Sequence, residues 1–397
     1  MKFLDWFRPG IGIKRWLLDG VMKTFFHAIS NSNFKMSLDS DRLSNLLFEK
    51  RILIKGPKIV ALGGGTGLST MLRGLKAYSS NITAVVTVAD DGGGSGVLRQ
   101  DLGMLPPGDI RNCILALANT EPILEQLLQY RFKEGRLKDQ NFGNLFLAAM
   151  DGISSSFEEA VRKMSDVLAV TGRVLPVTLE DVRLCAELED GFVICGESQI
   201  GRHNASHEGR IRKVYLDPQT VDPLQEVIDA ISEADAIILG PGSLYTSIIP
   251  NLLVKGICDA LKNSNAIKLY VCNVMTQPGE TDGYSLYDHI KAMEEHSYRG
   301  VIDYCIANNA GIPEELREKY LSDGAEQVRV DADAVSEAGI ELLEGDYLSM
   351  RNGYIRHDTD KLAGTIIDLV AETVLVKDKK RIIDYYYVKD RLRKSPR

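Results

Sequence analysis

The chain has 397 residues and a formal net charge of −8 at pH 7, with the composition of a globular protein and no low-complexity tract. The charge is uneven: residues 1–57 carry ten Lys/Arg against five Asp/Glu, residues 376–397 carry nine against three, and the body between them is left at −19. So acidic a body excludes a nucleic-acid-binding core; Cys113, Cys185, Cys195, Cys258, Cys272 and Cys305 are scattered, with no Cys-x-x-Cys, which excludes a zinc site or disulfide frame and predicts buried thiols in a reducing cytoplasm.

Residues 1–29 are rich in large apolar side chains, but Asp5, Arg8, Lys14, Arg15, Asp19 and Lys23 interrupt them. No run reaches the roughly 20 apolar residues needed to span a bilayer, and no signal-peptide cleavage pattern follows. Trp6 and Trp16 stand close to basic residues. That suits an amphipathic segment lying on a membrane surface, and equally a helix packed on the body or a partner. Residues 37–51 read as a helical connector, and Gly56-Pro57 closes an extension of residues 1–57.

An α/β pattern then begins. Strands are predicted at 58–62 and 82–89, a helix at 68–78, and a long Gly/Pro loop at 90–108. Helices follow at 109–119, 121–132, 144–150 and 157–167, with Pro122 suited to a first turn. Short strands at 174–178, 182–188, 192–196 and 210–216 predict a β-rich insert over about 173–216, with Glu189-Asp190-Gly191 as a hairpin turn. Alternation resumes with a helix at 223–232, a strand at 236–239, a helix at 247–261 and a strand at 267–273. A helix at 286–295, a strand at 302–308 and a helix at 359–376 complete it. The fold class is Rossmann-like α/β: a doubly wound, mostly parallel sheet over residues 58–376 with a small β-rich insert, followed by a basic tail at 377–397.

Ligands in such sheets bind at the carboxyl ends of the strands, where the notable turns fall. Gly63-Gly64-Gly65-Thr66-Gly67 follows the first strand, and its glycines let backbone N–H groups approach a phosphate. Asp90 and Asp91 enter a second glycine run. They suit a Mg²⁺ bridged to phosphate or an acceptor hydroxyl; local turn bonding is the plain reading. Asp109 can cap the helix beginning there. Arg111 in its first turn opposes the helix dipole unless it meets an anion or pairs with Asp109 or Asp101. Gly240-Pro241-Gly242-Ser243 forms a second cradle, and Asn144 and Asn273 offer amides to the same crevice. His203 and His207 stand four apart in what reads as a loop, not a helical metal pair. No Ser-His-Asp pattern, phosphate loop ending in Gly-Lys-Ser/Thr, or His-Glu-x-x-His is present.

Together these segments resemble one family, the bacterial gluconeogenesis factor proteins, related to 2-phospho-L-lactate transferase. The resemblance rests on 61–69, 87–93, Pro106-Pro107-Gly108-Asp109-Ile110-Arg111-Asn112, Gly143-Asn144-Leu145, 240–247 and 272–277, and extends over about 58–376. It implies a nucleotide-sugar ligand, UDP-N-acetylglucosamine, and a role in cell shape and cell-wall precursor supply on gluconeogenic carbon. It implies Tyr320 and Arg356 as sugar-nucleotide contacts, and Asp90 and Asp91 as the counterparts of an acidic loop near acceptor and metal. Gly94 stands where relatives commonly have Ser, and Asp139-Gln140-Asn141-Phe142 where many have Gly-His-Ser-Leu.

The expected site is therefore Gly63, Gly64, Gly65, Thr66, Gly67, Arg111, Asn144, Gly240, Gly242, Ser243, Asn273, Tyr320 and Arg356, with Asp90 and Asp91 for Mg²⁺ if the protein is a transferase. The leading reading is a cytoplasmic, homo-oligomeric regulator that binds a UDP-sugar, with no firm cofactor. Cell-wall or regulatory proteins are its candidate partners, and the N-terminus is a candidate membrane contact. A Mg²⁺-dependent transferase is the alternative. A nicotinamide dehydrogenase ranks below both for want of a proton-transfer His. Thr359 sits at a helix start where phosphorylation is physically reasonable; the simpler reading is an N-cap.

Overall fold

The computed structural model describes residues 53–394, apart from positions 208 and 352. The segments 1–29 and 37–51 lie outside the described residues. Among those described, no helix is long and apolar enough to cross a membrane.

In chain order the elements are β1 (Ile59–Gly63), α1 (Gly65–Leu75), β2 (Ile82–Val86), α2 (Gly93–Leu102), α3 (Gly108–Leu117), α4 (Pro122–Gln129), α5 (Phe142–Gly152) and α6 (Phe157–Val167). Then come β3 (Arg173–Pro176), β4 (Arg183–Leu188), β5 (Val193–Cys195), α7 (Glu197–His207), β6 (Ile211–Asp217), α8 (Gln225–Glu233) and β7 (Ala236–Leu239). A π turn (Leu244–Ile248) leads into α9 (Ile249–Leu252) and α10 (Ile257–Asn263), followed by β8 (Ile267–Val271), α11 (Leu286–Glu295), β9 (Tyr304–Asn308), α12 (Glu314–Ser322) and α13 (Ala332–Glu337). The chain closes with β10 (Glu341–Gly345), β11 (Leu348–Arg351), β12 (Tyr354–His357), α14 (Thr359–Thr373) and α15 (Lys379–Lys394).

Seven strands form one sheet in the order β10-β9-β8-β7-β1-β2-β3, and each pairing is parallel. Strands covered on both faces read as unbroken apolar runs, and every residue of β1, β2 and β7 is buried. Helix α1 packs on the sheet through Leu68, Met71, Leu72 and Leu75, all fully buried. Their spacing of three and four residues puts them on one face, and each buried side chain of this kind stabilises by roughly 1.5–3 kcal/mol. Gly74 on the same helix lets α14 press close, since a Cβ there would lie 2.3 Å from the Thr359 carbonyl oxygen.

The strand order runs outward from β1 in both directions, so the β1/β7 junction is the point where connections reverse. Crevices open there at the carboxyl ends of the strands.

Several expectations are corrected. Residues 93–102, expected as loop, are helix α2; its glycines serve close packing, because a Cβ at Gly96 would lie 2.1 Å from the Asp91 carbonyl oxygen. The strand near 174 is β3 of the main sheet, so the antiparallel insert, ordered β5-β4-β6, starts only at Arg183. Residues 197–207 form helix α7, not a loop; Asp91, distant in sequence, caps it by accepting from the Ser198 N–H at 2.9 Å. The expected helix at 247–261 is divided among the π turn, α9 and α10.

Cys185 and Cys195 are directly opposed on β4 and β5 and form a disulfide, with Cα atoms 4.1 Å apart. That overturns the reading of all six cysteines as thiols, whereas Cys113, Cys272 and Cys305 are buried and free. Asp358, not Thr359, is the N-cap of α14, its carboxylate accepting from the N–H groups of Asp360 and Lys361. Residues 379–394, expected within a basic tail, are helix α15 docked on the body. Arg381 makes a two-point contact with Asp235 at 3.1 and 2.5 Å, and Tyr385 is buried and donates to Asp368.

Arg381→Ala should lower stability by about 1 kcal/mol, the scale of a partly exposed ion pair with two hydrogen bonds. Urea unfolding reads the loss, and amide exchange should speed up in residues 379–394 while β1 and β7 stay protected.

Candidate functional site

At the β1/β7 junction the two glycine turns touch. A Cβ on Gly67 would lie 2.8 Å from the Pro241 carbonyl oxygen, and one on Gly242 would lie 3.1 Å from the Gly64 carbonyl oxygen. Asn273, at the end of β8, holds Gly242 from the other side. Its Oδ1 accepts from the Gly242 N–H at 3.2 Å and its Nδ2 donates to the Gly242 carbonyl at 2.7 Å. A single side chain thus replaces a strand's pairing pattern and fixes the turn.

Above this floor lies a crevice of about 500 Å³. Of the residues expected from sequence, Gly65, Thr66, Gly67, Asp90, Gly242, Ser243, Asn273, Tyr320 and Arg356 line it. Gly63, Gly64 and Gly240 lie beneath it. Gly64 has no room for a side chain, since a Cβ would lie 2.5 Å from Asp109 Oδ2. Gly240 takes φ +80°, a left-handed conformation that favours glycine. Tyr320 accepts from the Ile355 N–H at 2.9 Å, which ties α12 to β12. Next to it, Arg356 stands over the Tyr354 ring at 5.5 Å and donates to the Ile355 carbonyl at 2.9 Å.

Three expected residues fall elsewhere. Asn144 lines neither this crevice nor the cavity beside it; its N–H donates to Asn141 Oδ1 at 3.2 Å, and its own side-chain oxygen is buried without a partner among the described residues. The buried N-cap of α5, Asn141, lines that neighbouring cavity instead. Arg111 lines the adjoining cavity, and among the described residues it forms no salt bridge with Asp109 or Asp101. Asp91 points away from Asp90 to cap α7. The two carboxylates thus serve different elements here, and among the described residues no group of three or more His, Cys, Asp or Glu is placed to hold a metal ion.

The acidic character of the crevice comes from residues that sequence reasoning passed over or assigned otherwise. Asp109 does not cap its own helix. Its carboxylate reaches across to the N–H of Gly65, the first residue of α1, where an anion is favoured by the helix dipole. Glu197 arrives from the insert, and Glu280 from the segment after β8. Neither carried any local signal, because only tertiary structure brings them to the glycine turns. Ser243 and the Tyr245 N–H donate to Glu280.

Burial pushes all four carboxyl groups up. Asp90 is raised, chiefly by burial. Asp109 is raised to about 6 by burial and then by the Asp90 charge. Glu280 is raised to about 7 by burial. Glu197 reaches about 8 through burial, then through Asp90, Glu280 and Asp109. Near neutral pH Glu197 thus keeps its proton and can donate to a ligand oxygen. His357 is pushed down to about 4 by burial. It is neutral, and its Nε2–H donates to the Cys272 carbonyl at 3.1 Å. The crevice therefore has an acidic, partly protonated wall facing Arg356.

A carboxyl group raised on folding contributes stability that is present below its unfolded value and lost as pH rises through its folded value. For Glu197 that window runs from 4.5 to about 8. Thermal melting should therefore fall across this range, and Glu197→Gln should melt higher than the parent at pH 8.5 by at least about 2 °C, with little difference at pH 4.5. Gly67→Val should cost about 1–3 kcal/mol by forcing the two turns apart. Gly152→Ala, where a Cβ meets nothing within 4 Å, should stay within about 0.5 kcal/mol; chemical denaturation compares the two.

Residues 59–348 match the family described as 2-phospho-L-lactate transferase CofD. A putative gluconeogenesis factor of Clostridium acetobutylicum is 50% identical, covering 100% of this chain and 98% of its own. The gluconeogenesis factor of Bacillus subtilis is 50% identical over 80% of this chain and 99% of its own. A crystal structure of a UPF0052 family protein from Bacillus halodurans superposes with a TM-score of 0.75 at 44% identity, covering 79% of this chain and 99% of that one. The chain belongs to the CofD family, among the proteins named gluconeogenesis factor.

Proposed function

We propose that the crevice binds a nucleotide sugar, UDP-N-acetylglucosamine, and that the protein is a ligand-responsive regulator of cell shape and cell-wall precursor supply during gluconeogenic growth. The observation that carries the reading is the meeting in one crevice of the two glycine turns with Tyr320 and Arg356, which come from the far end of the chain. The glycine turns offer backbone at close range. Arg356 has no ion-pair partner among the described residues and is free to bond a diphosphate. Protonated Glu197 and the hydroxyls of the crevice suit a hydroxyl-rich sugar, because each can donate or accept without adding charge. The relatives' name, gluconeogenesis factor, supports the physiological part of the reading.

Calorimetric titration with UDP-N-acetylglucosamine, with and without Mg²⁺, tests it. Micromolar binding is expected, weakened about tenfold or more in Arg356→Ala by loss of a charge-assisted hydrogen bond, with the ligand intact afterwards. Absence of heat would remove the reading. Breakdown of the ligand would make the protein an enzyme instead.

A further inference from the structure

Cys185 and Cys195 are the one joined pair of cysteines among the described residues; Cys113, Cys258, Cys272 and Cys305 are free. The two partners differ in access. Cys185 is buried on β4, the middle strand of the insert, whereas Cys195 is exposed on β5, an edge strand. β5 is three residues long, and of these only Ile194 is buried. So short an edge strand gains little from its ladder, and the covalent link to β4 is its main tie.

The link stands where the insert reaches the crevice. Gly196 follows Cys195 with φ +111°, and a Cβ on it would lie 2.7 Å from Asp91 Oδ2. The Gly196 N–H donates to the Leu184 carbonyl at 2.8 Å. Ser198 donates its N–H to Asp91 at 2.9 Å, and a Cβ on Gly92 would lie 3.3 Å from Ser198 Cβ. Glu197, between these contacts, lines the crevice and hydrogen-bonds the Thr246 side chain. Four consecutive residues, 195–198, therefore carry the crosslink, a close packing contact, a crevice side chain and a helix cap.

We infer that the Cys185–Cys195 pair is a reversible thiol-oxidation site, exchanged by small dithiols and disulfides, and that its oxidation state decides whether Glu197 is held in the crevice. Disulfides within reach of solvent are the labile kind, and Cys195 offers that reach. In the reductive direction a dithiol's thiolate attacks Sγ of Cys195, the S–S bond breaks, and Cys185 leaves and takes up a proton. The reductant's second thiol then attacks the mixed disulfide, releases Cys195 as a thiol and closes the reductant's own disulfide. Two electrons and two protons have passed to the protein. A small disulfide such as oxidised glutathione accepts them in the reverse direction and restores the link. Opening a crosslink returns conformational freedom to the loop it closed, here residues 185–195. The start of α7 is then left to the Asp91 cap, and Glu197 loses its fixed place. The oxidised form is the one with a complete crevice wall, so a ligand that touches Glu197 favours the disulfide by the same factor by which reduction weakens that ligand.

The test compares the full chain, under native conditions, before and after equilibration with dithiothreitol. Only its affinity readout rests on the nucleotide-sugar reading. Alkylation should find four thiols before treatment and six after it. Amide exchange should speed up about tenfold or more across residues 193–200, while β1 and β7 stay protected. Affinity for UDP-N-acetylglucosamine should fall about tenfold, the worth of one hydrogen bond to the ligand. Cys195→Ser should show the reduced behaviour throughout and no response to dithiothreitol. The inference falls if the native protein keeps its disulfide in dithiothreitol, or if exchange across 193–200 is the same in both states. It falls equally if a measurable affinity for UDP-N-acetylglucosamine is unchanged by reduction. Redox-dependent exchange in a protein that binds no UDP-N-acetylglucosamine in either state would sustain the oxidation site and remove the sugar-nucleotide reading.

Discussion

The contact on which the site depends is the approach of two backbones at the β1/β7 junction. Pro241 sits where a side chain on Gly67 would have to be, and Gly64 where one on Gly242 would press. Packing this close leaves no side chain to fix the turns, so other groups do it. Asn273 clamps Gly242, and Asn251 donates to the Gly63 carbonyl and to Ser247. Asp109 takes the N–H at the start of α1. Each group comes from a different element, so the floor of the crevice is stiff only when the whole sheet is assembled.

Charge is segregated across this floor. On one side are Asp90, Asp109, Glu197 and Glu280, each of whose pKa burial raises. On the other is Arg356, followed by Arg111 and Arg131 in the next cavity. Among the described residues neither set neutralises the other through a direct ion pair. The four carboxyl groups and Arg111 lose hydration on folding without gaining an opposite charge as a direct partner among the described residues, an arrangement that favours ligands over stability.

Much of this was legible before the tertiary structure. The strands at 59–63, 82–86, 236–239, 267–271 and 304–308 announce themselves as buried apolar runs, and the turns after them as glycine clusters. Nine of the expected residues line the crevice. What escaped had no local signal. Helix α2 is written in glycines that normally argue against a helix. Strands β10, β11 and β12 are short and half-exposed, without the long apolar pattern that marks the central strands. Asp91 looked like a partner of Asp90, but adjacent side chains on extended backbone point to opposite sides, and Asp91 turned to cap a helix more than a hundred residues away.

By itself the sequence determined the fold class, the position of the glycine turns and the crevice end of the sheet. These follow from hydrophobic period and from glycine's freedom of backbone, both properties of short segments. Only the tertiary structure decided which charges meet. Glu197, Glu280, Arg111 and Arg356 are separated by long stretches of chain, and the surroundings each one meets arise from what the fold places around it. The strength of an electrostatic interaction depends on distance and desolvation, and neither exists until the chain has closed.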